Sequence, residues 1–269
     1  MSNIVERSFK ILEELSHHSE GRTLSELAEK AEMPLSAAHR LLHDLIASGY
    51  VRKDERRGEF TLTMQIVSLA LRHLSSGGIV DVAQPILERL ATKSKELVRL
   101  AVVDQDQLVY VAKAQGATHG LRYDPEMGQA VTLSCSAAGL AWLATKSEDE
   151  ALRLVAKQGL GDPKNYGPDA PATLKDFMAQ VQATQKRGYA STVNVFLPGM
   201  SSMAAPVFSP RKEVIAVLII AGPMNRLSAE RMDSLSGALL DTASDLGAAS
   251  TVSAVFQRRP NQPIPSRKT

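Results

Sequence analysis

The sequence is poor in the residue types that mark several protein classes. Cys135 is the single cysteine of the 269 residues, so the chain cannot form an internal disulfide. The longest uninterrupted apolar run, residues 214–221, is far shorter than the ~20 residues that span a bilayer. The first residues show no charged segment followed by an apolar one, so no secretory signal is expected. We therefore expect a cytoplasmic protein that has no membrane partner.

Aromatic residues and net charge are also scarce. Aromatics make up 4% of the chain, which argues against the rows of stacking rings that hold single-stranded nucleic acid. Lys and Arg number 31 against 29 Asp and Glu, a formal net charge of +2, which excludes a uniformly basic nucleic-acid coat. Any contact with DNA must therefore come from local clusters of basic residues. The length favours two domains.

The first 64 residues follow the order helix, helix, helix, hairpin. Thr23 and Glu26 form a capping-box pattern, in which each side chain satisfies an exposed backbone N–H, and they predict a second helix that runs to about residue 31. Ser36 is predicted to cap a third helix over residues 37–48, which Gly49 ends. The first helix, residues 4–16, has apolar residues at helical spacing, namely Ile4, Phe9, Ile11, Leu12 and Leu15.

Two strands follow the third helix, at residues 50–53 and 59–63, with a charged turn between them. Two helices joined by a short turn and followed by a hairpin are typical of a winged helix-turn-helix domain, which places its second helix in the major groove of DNA. We assign residues 1–64 to this domain. The predicted DNA-binding residues are Thr23, Ser25, Leu35, Ser36, Ala37, His39, Arg40, His43, Arg52, Lys53, Arg56 and Arg57.

Both parts of this predicted surface also have an ordinary structural interpretation. The polar outer face of the third helix is equally consistent with a helix face that only contacts water. Asp54 and Glu55 lie among the basic residues of the hairpin, which is equally consistent with an ordinary charged turn. His39 and His43 are four residues apart but have no third ligand nearby, so no metal site is expected.

The remainder of the chain predicts a linker helix at residues 65–78, a sensor domain at 79–250 and a disordered tail at 251–269. Strands interspersed with helices and followed by a long last helix indicate an α+β domain, with an antiparallel sheet and flanking helices. Strands are expected at residues 97–104, 107–113, 121–123, 130–133, 188–193, 200–209 and 213–222.

Five ordered blocks of the sequence resemble the IclR family of bacterial transcriptional regulators. These blocks are residues 9–15 (FKILEEL), 33–42 (MPLSAAHRLL), 133–141 (LSCSAAGLA), 187–190 with 199–207 (RGYA and GMSSMAAPV), and 222–223 (GP). The resemblance covers about residues 4–250. It implies a winged helix-turn-helix followed by a GAF-like effector-binding domain, a homodimer or dimer of dimers, double-stranded operator DNA as partner, and regulation of a catabolic operon for organic or aromatic acids.

The chain departs from the family pattern around the expected effector pocket. Residues 191–196 (STVNVF) lack the acidic residue that the family commonly has there, and Ile219 and Ala221 stand where sensors of small acids often have serines. Leu140 replaces the lysine that commonly follows Gly139. The resemblance therefore implies a more apolar pocket and a larger carboxylic acid with an aromatic or alkyl body.

Small residues at 134–139 leave the first N–H groups of a helix accessible to a carboxylate, and the helix dipole favours negative charge there. Arg122 or Arg99 is a candidate for a charge-assisted hydrogen bond to the acid. Plain capping by Ser134 or Ser136, and surface arginines, are the alternatives. The predicted effector-binding residues are Arg122, Tyr123, Met127, Ser134, Cys135, Ser136, Ala137, Thr192, Asn194, Ser202, Ile219 and Ala221.

Two other classes of function compete with the regulator. An enzyme that acts on a small acid would use Cys135 as nucleophile, since a thiol at a helix start has a lowered pKa, with His119 as its base. A scaffold that only dimerises would need no DNA contact. We predict a regulator rather than an enzyme, with no cofactor and no metal. The effector, the operator, the sign of regulation, and the choice between dimer and tetramer stay open.

Overall fold

The structure is a computed structural model that describes residues 4–250 except 78, 124, 126 and 162. The predicted tail, 251–269, lies outside the described residues. The chain divides into two compact units, and the division along the sequence lies between Leu74 and Ser75. The division falls inside the helix predicted as a linker.

The N-terminal unit is a small helical domain with a three-stranded antiparallel sheet in the order β1-β3-β2. Its elements are α1 Ile4–Ser16, β1 Arg22–Thr23, α2 Leu24–Lys30, α3 Leu35–Ala47, β2 Val51–Lys53, β3 Glu59–Leu62 and α4 Met64–Gly77. Its core combines side chains of three helices and the sheet, among them Ile11, Leu27, Leu42 and Phe60. The predicted order of helices and hairpin is confirmed.

Helix α2 begins as the sequence predicts and α3 does not. At α2 the backbone N–H of Glu26 donates to the Thr23 hydroxyl at 3.4 Å, and the Glu26 carboxylate accepts from the Thr23 N–H at 2.8 Å. Helix α3 begins at Leu35 with Pro34 as its N-cap and no side-chain cap. The prediction that Ser36 caps this helix is therefore wrong: Pro34, whose φ is fixed near the helical value, starts the helix two residues earlier and leaves Ser36 inside the first turn.

Helix α1 buries less of its apolar face than expected. Ile11 and Leu15 lie in the core, but Ile4 is 61% exposed and Phe9 is 59% exposed. Of the apolar face that the sequence predicts for this helix, Ile4 and Phe9 therefore lie outside the core of this unit. Only the second half of α1 reaches the core, so the two side chains remain on the surface.

The C-terminal unit contains a five-stranded antiparallel sheet in the order β5-β4-β8-β7-β6. Its strands are β4 Leu97–Asp104, β5 Gln107–Gln115, β6 Ala190–Val193, β7 Met200–Phe208 and β8 Val214–Pro223. Its helices are α5 Ile79–Ser94, α6 Ala137–Leu143, α7 Glu148–Gln158, α8 Leu174–Arg187 and α9 Ala229–Ala249, with a short 3₁₀ turn at Pro163–Asn165. Within the described residues, no helix is long and apolar enough to cross a membrane.

Two predicted strands, 121–123 and 130–133, do not form. Ala130 makes only an isolated bridge with Val109, and residues 121–123 belong to an irregular segment. Gly120 and Gly128 both adopt positive φ on either side of this segment, which breaks the extended conformation. Val131 and Leu133 are nevertheless buried in the core on the α6 side of the sheet, without forming a strand.

The sheet separates two cores because neighbouring strand residues point to opposite faces. On β4 and β8, Val98, Leu100 and Leu218 pack against α5 and α9. Ala101 and Val217 face the other way, toward α6, α7 and α8. Every residue of α6 is buried. This second face holds the cavity described below.

Gly139 of α6 lies directly against the backbone of Leu133, so that an added Cβ would overlap the Leu133 carbonyl oxygen. Gly237 of α9 is also helical, but nothing lies within 4 Å of the position that its Cβ would take. The two glycines are a matched pair for testing how closely α6 packs.

We expect Gly139→Ala to lower the free energy of unfolding by about 1–3 kcal/mol, because the overlap is with rigid backbone. Gly237→Ala should leave the free energy of unfolding unchanged or raise it by up to about 1 kcal/mol, since alanine is the better helix former. Urea unfolding monitored by circular dichroism measures both. Equal stability of the two variants would contradict the packing of α6.

Candidate functional site

The first candidate surface is the outer side of α3. Helix α3 buries Ala38, Leu41 and Leu42 and leaves its other side in solvent. We call this exposed side the recognition face; it comprises Leu35, Ser36, His39, Arg40 and His43, with Ala37 half-buried at its edge. Its side chains carry hydrogen-bond donors and acceptors suited to base edges and phosphates.

The basic hairpin between β2 and β3 is exposed, and part of its charge is already paired. Arg57 forms ion pairs with Glu59 at 2.8 Å and with Glu20 at 3.6 Å. Lys53 lies 3.5 Å from Glu55. The Nε of Arg52 donates to the Thr61 hydroxyl at 3.0 Å. Phosphate contact by Arg57 and Lys53 would therefore have to compete with these carboxylates.

The turn of this hairpin is built on Asp54. Its carboxylate accepts hydrogen bonds from the backbone N–H groups of Arg56 and Arg57, at 2.8 and 3.2 Å. These bonds hold the pKa of the Asp54 carboxyl below its ordinary value. Asp54 therefore fixes the direction in which Arg56 and Arg57 leave the turn.

The start of α2 is less open to phosphate than the sequence suggests. The Thr23 hydroxyl donates to the Glu26 carboxylate at 2.8 Å as well as capping the helix. These hydrogen bonds, Thr23 N–H first, lower the pKa of Glu26, so the carboxylate stays charged beside the helix start. Ser25 is exposed. Thr23 is exposed too, but its hydroxyl is already engaged with Glu26, so Ser25 is the better candidate of the two for a phosphate contact.

The second candidate site is a cavity of about 130 Å³ between the sheet and the segments that cover its α6 side. Ile219 and Ala221 of β8 and Ser202 of β7 contribute to its floor. We call it the effector cavity. The described residues that line it are Arg99, Tyr110, Tyr123, Pro125, Gln129, Ala130, Thr132, Ser136, Ala137, Ala138, Thr192, Phe196, Met200, Ser201, Ser202, Ile219 and Ala221.

Arg99 is the only charged residue among the described residues of that lining. It is 4% exposed and lies on β4, with its guanidinium carbon 3.3 Å from the centre of the Tyr110 ring. Its Nη2 also approaches the Met127 sulfur at 3.9 Å. A cation that is withdrawn from water in this way attracts a negative ligand strongly, because little solvent screens the charge.

The other groups of the cavity are neutral. Burial raises the pKa of the Tyr110 and Tyr123 hydroxyls, and the charge of Arg99 only partly opposes this effect. The Thr192 and Ser202 hydroxyls lie 2.9 Å apart. Apolar surface from Phe196, together with Ile219 and Ala221, completes a site suited to one acidic group and an apolar body.

The start of α6 is occupied by its own cap. The Ser136 hydroxyl accepts from the Gly139 N–H at 3.0 Å and donates to the Thr132 carbonyl at 2.6 Å. With seven residues, α6 also has a small dipole. The buried guanidinium of Arg99 is therefore a stronger anchor for an acid than this helix start.

The structure brings together seven of the twelve predicted effector residues. Ser136, Ala137 and Tyr123 line the cavity, as do four residues of β6, β7 and β8, namely Thr192, Ser202, Ile219 and Ala221.

The other five do not line the cavity. Arg122 is exposed, and Met127 reaches Arg99 without lining the space. The Asn194 side chain instead accepts from the Gly199 N–H at 2.7 Å and shapes the β6–β7 connection.

Ser134 and Cys135 also point elsewhere. Ser134 donates to the Leu160 carbonyl at 3.0 Å, and the Cys135 sulfur lies 3.7 Å from the same oxygen. Burial raises the pKa of the Cys135 thiol, which contradicts the lowered pKa that a nucleophile would need. The His119 ring contacts the Thr118 hydroxyl at 2.8 Å. Within the described residues, no three His, Cys, Asp or Glu side chains cluster as metal ligands.

Sequence reasoning missed most of the residues that close the cavity, among them Tyr110, Gln129 and Phe196. Arg99 was weighed but left out of the predicted set. Its signal was an arginine inside the apolar run LVRLAVV of β4, where a charge is costly unless it serves a partner or a ligand.

Comparison with known proteins agrees with both parts of the molecule. Residues 4–55 match the IclR helix-turn-helix domain, and residues 71–248 match the C-terminal domain of the bacterial transcriptional regulator IclR. The transcriptional repressor IclR of Escherichia coli is 29% identical over 241 residues, which cover 89% of this chain and 87% of the relative.

Solved structures share the fold. An IclR transcriptional regulator from Alicyclobacillus acidocaldarius superposes with a TM-score of 0.79 at 23% identity, covering 93% of this chain and 99% of the other. An IclR homologue from Microbacterium hydrocarbonoxydans, solved in complex with 4-hydroxybenzoate, superposes with a TM-score of 0.78 at 19% identity. The match covers 93% of this chain and 100% of the other. With the two family domains together matching most of its length, the chain belongs to the IclR family of bacterial transcriptional regulators, which act on transcription and are not enzymes.

Proposed function

We propose that this regulator is a cytoplasmic repressor that releases or retains operator DNA in response to a carboxylic acid with an aromatic or alkyl body. The observation that carries the effector part is the buried Arg99 guanidinium in an otherwise neutral, largely apolar cavity. The repressor activity of the E. coli relative supports the sign of regulation. The target is then an operon for catabolism of the acid that is sensed.

The recognition face supplies the DNA contact. Arg40 is exposed in the middle of this face, and His39 and His43 flank it. A long guanidinium can bond a guanine edge with two hydrogen bonds or pair with a phosphate. Arg52, Lys53, Arg56 and Arg57 of the hairpin add phosphate contacts, and the whole set makes DNA affinity depend steeply on salt.

We expect Arg40→Ala to weaken binding to duplexes selected by the wild-type protein from a random library by about 1–3 kcal/mol, because one base or phosphate contact is lost. Fluorescence anisotropy at several salt concentrations measures the affinity. A change in the preferred base would assign Arg40 to a base edge. A lower salt slope with unchanged preference would assign it to phosphate.

The matched control for this experiment is Arg231→Ala. Arg231 is an exposed arginine on α9, in the C-terminal unit. The Arg231→Ala variant removes the same charge as Arg40→Ala, but from a surface that is not proposed to contact DNA. Equal loss of affinity in both variants, or none in Arg40→Ala, would contradict the assignment of α3 as the DNA-reading helix.

The effector is anchored by charge and selected by the apolar walls. Arg99 offers a carboxylate a charge-assisted interaction that no neutral ligand can match. A cavity of ~150 Å³ is known to hold one benzene ring, so the space here suits a single ring or a short branched chain. The 4-hydroxybenzoate bound by the M. hydrocarbonoxydans homologue is a ligand of this chemistry.

We expect benzoate or 4-hydroxybenzoate to raise the melting temperature of the wild-type protein and benzamide to have little effect, because only the acids bear a charge. At a ligand concentration of 100 Kd, binding raises the free energy of unfolding by about 2.7 kcal/mol. Arg99→Met should abolish the gain, and Arg99→Lys should keep part of it. Differential scanning fluorimetry measures all three proteins.

Arg211→Met is the control for this series. Arg211 is exposed in the turn between β7 and β8, at the end of those strands opposite the cavity residues Met200 and Ser202. This variant should respond to the acids as the wild type does. Stabilisation by glyoxylate or pyruvate alone would refute the apolar effector, and stabilisation of Arg99→Met by benzoate would refute the anchor.

We further propose a homodimer, or a dimer of dimers, as the functional state. Surface residues of α1 and α4 carry the argument: Ile4, Phe9, Met64 and Leu71 are exposed large apolar side chains. Apolar surface concentrated on two helices of one small unit is typical of an interface with a second copy. Two recognition helices would then reach successive major grooves of one operator.

We expect Phe9→Glu to shift the protein toward a smaller species in sedimentation velocity, because it places a charge in the apolar contact. It should also weaken operator binding, since a monomer contributes only one half of the DNA contacts. Lys10→Glu changes the charge at the neighbouring position, which is not apolar, and should leave the assembly intact. An unchanged sedimentation coefficient for Phe9→Glu would contradict the role of α1 in the interface.

A further inference from the structure

An ion pair between a buried carboxylate and a half-buried guanidinium lies next to the effector cavity and joins segments far apart in sequence. Glu96, just before β4, is 3% exposed, and a charge buried to this extent needs a close partner. Arg226, in the connection between β8 and α9, supplies it. Its Nε donates to Oε1 of Glu96 at 2.7 Å and its Nη2 to Oε2 at 2.8 Å. This two-point geometry fixes the plane of the guanidinium.

The backbone around the ion pair leaves it little freedom. Gly222, at the end of β8, packs so closely against the Glu96 carboxylate that a Cβ there would overlap it. The Glu96 carbonyl also accepts from the Gly116 N–H at 3.1 Å. Glu96 is therefore held by the sheet, and Arg226 is held by Glu96.

Arg226 makes a third hydrogen bond that reaches the wall of the cavity. Its Nη2 donates to the carbonyl of Leu121 at 3.0 Å. Leu121 belongs to residues 116–123, which we call the roof segment, and Tyr123 at the end of this segment lines the cavity. The Leu121 side chain is 72% exposed, so burial of that side chain does not hold the segment.

Gln115 forms a second polar tie to the same segment. Its Nε2 donates to the Tyr123 carbonyl at 3.1 Å, and its Oε1 accepts from the Ala117 N–H at 3.0 Å. The segment is thus held at Ala117, Leu121 and Tyr123 by polar contacts. Without the central contact, the remaining polar contacts of the segment are those of Gln115 at Ala117 and Tyr123, beside the packing of the Tyr123 ring against the core on the α6 side of the sheet.

We propose that Arg226 is a positioning residue of the effector cavity. By clamping Leu121 to the Glu96 carboxylate, it holds Tyr123 in place as a wall and sets how fast a bound effector escapes. Arg226 also precedes the α9 cap, Ser228, by two residues, and α9 packs on the other face of the sheet. The same residue therefore links the wall of the cavity with the start of α9. The part of this inference that concerns a ligand rests on the proposed function.

The test compares Arg226→Lys with the wild type. Lysine keeps the positive charge beside Glu96, but as a single ammonium it cannot reproduce the two-point pairing together with the Leu121 bond. In the ligand-free protein we expect amide hydrogen exchange in residues 117–123 to become about tenfold faster, read at the Ala117 N–H that donates to the Gln115 Oε1. Exchange in β4 and β8 should be unchanged. Unchanged exchange in residues 117–123 would overturn the clamp.

Arg153→Lys is the matched control. Arg153 on α7 also forms a two-point pair with a carboxylate, that of Asp106, at 3.1 and 3.2 Å. It is exposed and lies outside the cavity lining, so its replacement should not alter exchange in the roof segment. If Arg226→Lys fails to fold, the double variant Glu96→Gln, Arg226→Gln removes both charges, and faster exchange in residues 117–123 is expected there as well.

The ligand measurement separates positioning from mere stability. Stopped-flow binding of benzoate should show a dissociation rate about tenfold higher in Arg226→Lys with a similar association rate. Faster exchange without a change in benzoate dissociation would overturn the positioning role. If benzoate does not bind the wild-type protein, the proposed effector class fails, and the exchange measurement decides the clamp by itself.

Discussion

The alternation of side chains along β4 is the constraint on which the C-terminal unit depends. Val98 and Leu100 pack under α5 and α9, and this contact fixes which way the strand faces. Because neighbouring residues point to opposite sides, the same contact turns Arg99 toward the effector cavity. Shifting β4 by one residue would bury the guanidinium under α9 and open both cores. The charge of the cavity is thus set by the packing on the opposite face.

In the N-terminal unit, the packing of one face of α3 likewise determines which side chains the other face exposes. Burying Ala38, Leu41 and Leu42 of α3 leaves Arg40 and the rest of the recognition face in solvent. The unit is not basic overall, so DNA affinity has to come from where a few cations are placed. Because Arg57 is already paired with Glu59 and Glu20, the hairpin can contribute less to DNA affinity. Helix α3 is therefore the main DNA-reading element of the proposal.

The effector cavity differs from the predicted one mainly in its anchor. Prediction relied on the start of α6, where Ser134, Cys135 and Ser136 follow one another. In the structure Ser136 caps the helix, while Ser134 and Cys135 turn to the Leu160 carbonyl. Consecutive residues before a helix can point in different directions, and sequence spacing does not say which of them faces a cavity. The four strand residues Thr192, Ser202, Ile219 and Ala221, which the resemblance to the family implied, all line the cavity.

The sequence alone predicted the order of helices and hairpin in the N-terminal unit, the α+β character of the C-terminal unit, and the family. Each of these depends on local pattern or on ordered motifs. Only the tertiary structure decided that Ile4 and Phe9 stay exposed, that residues 121–123 form no strand, and that Arg226 reaches Leu121 across 105 residues. Those outcomes depend on contacts between segments distant along the chain. The spacing of residues within one segment does not predict such contacts.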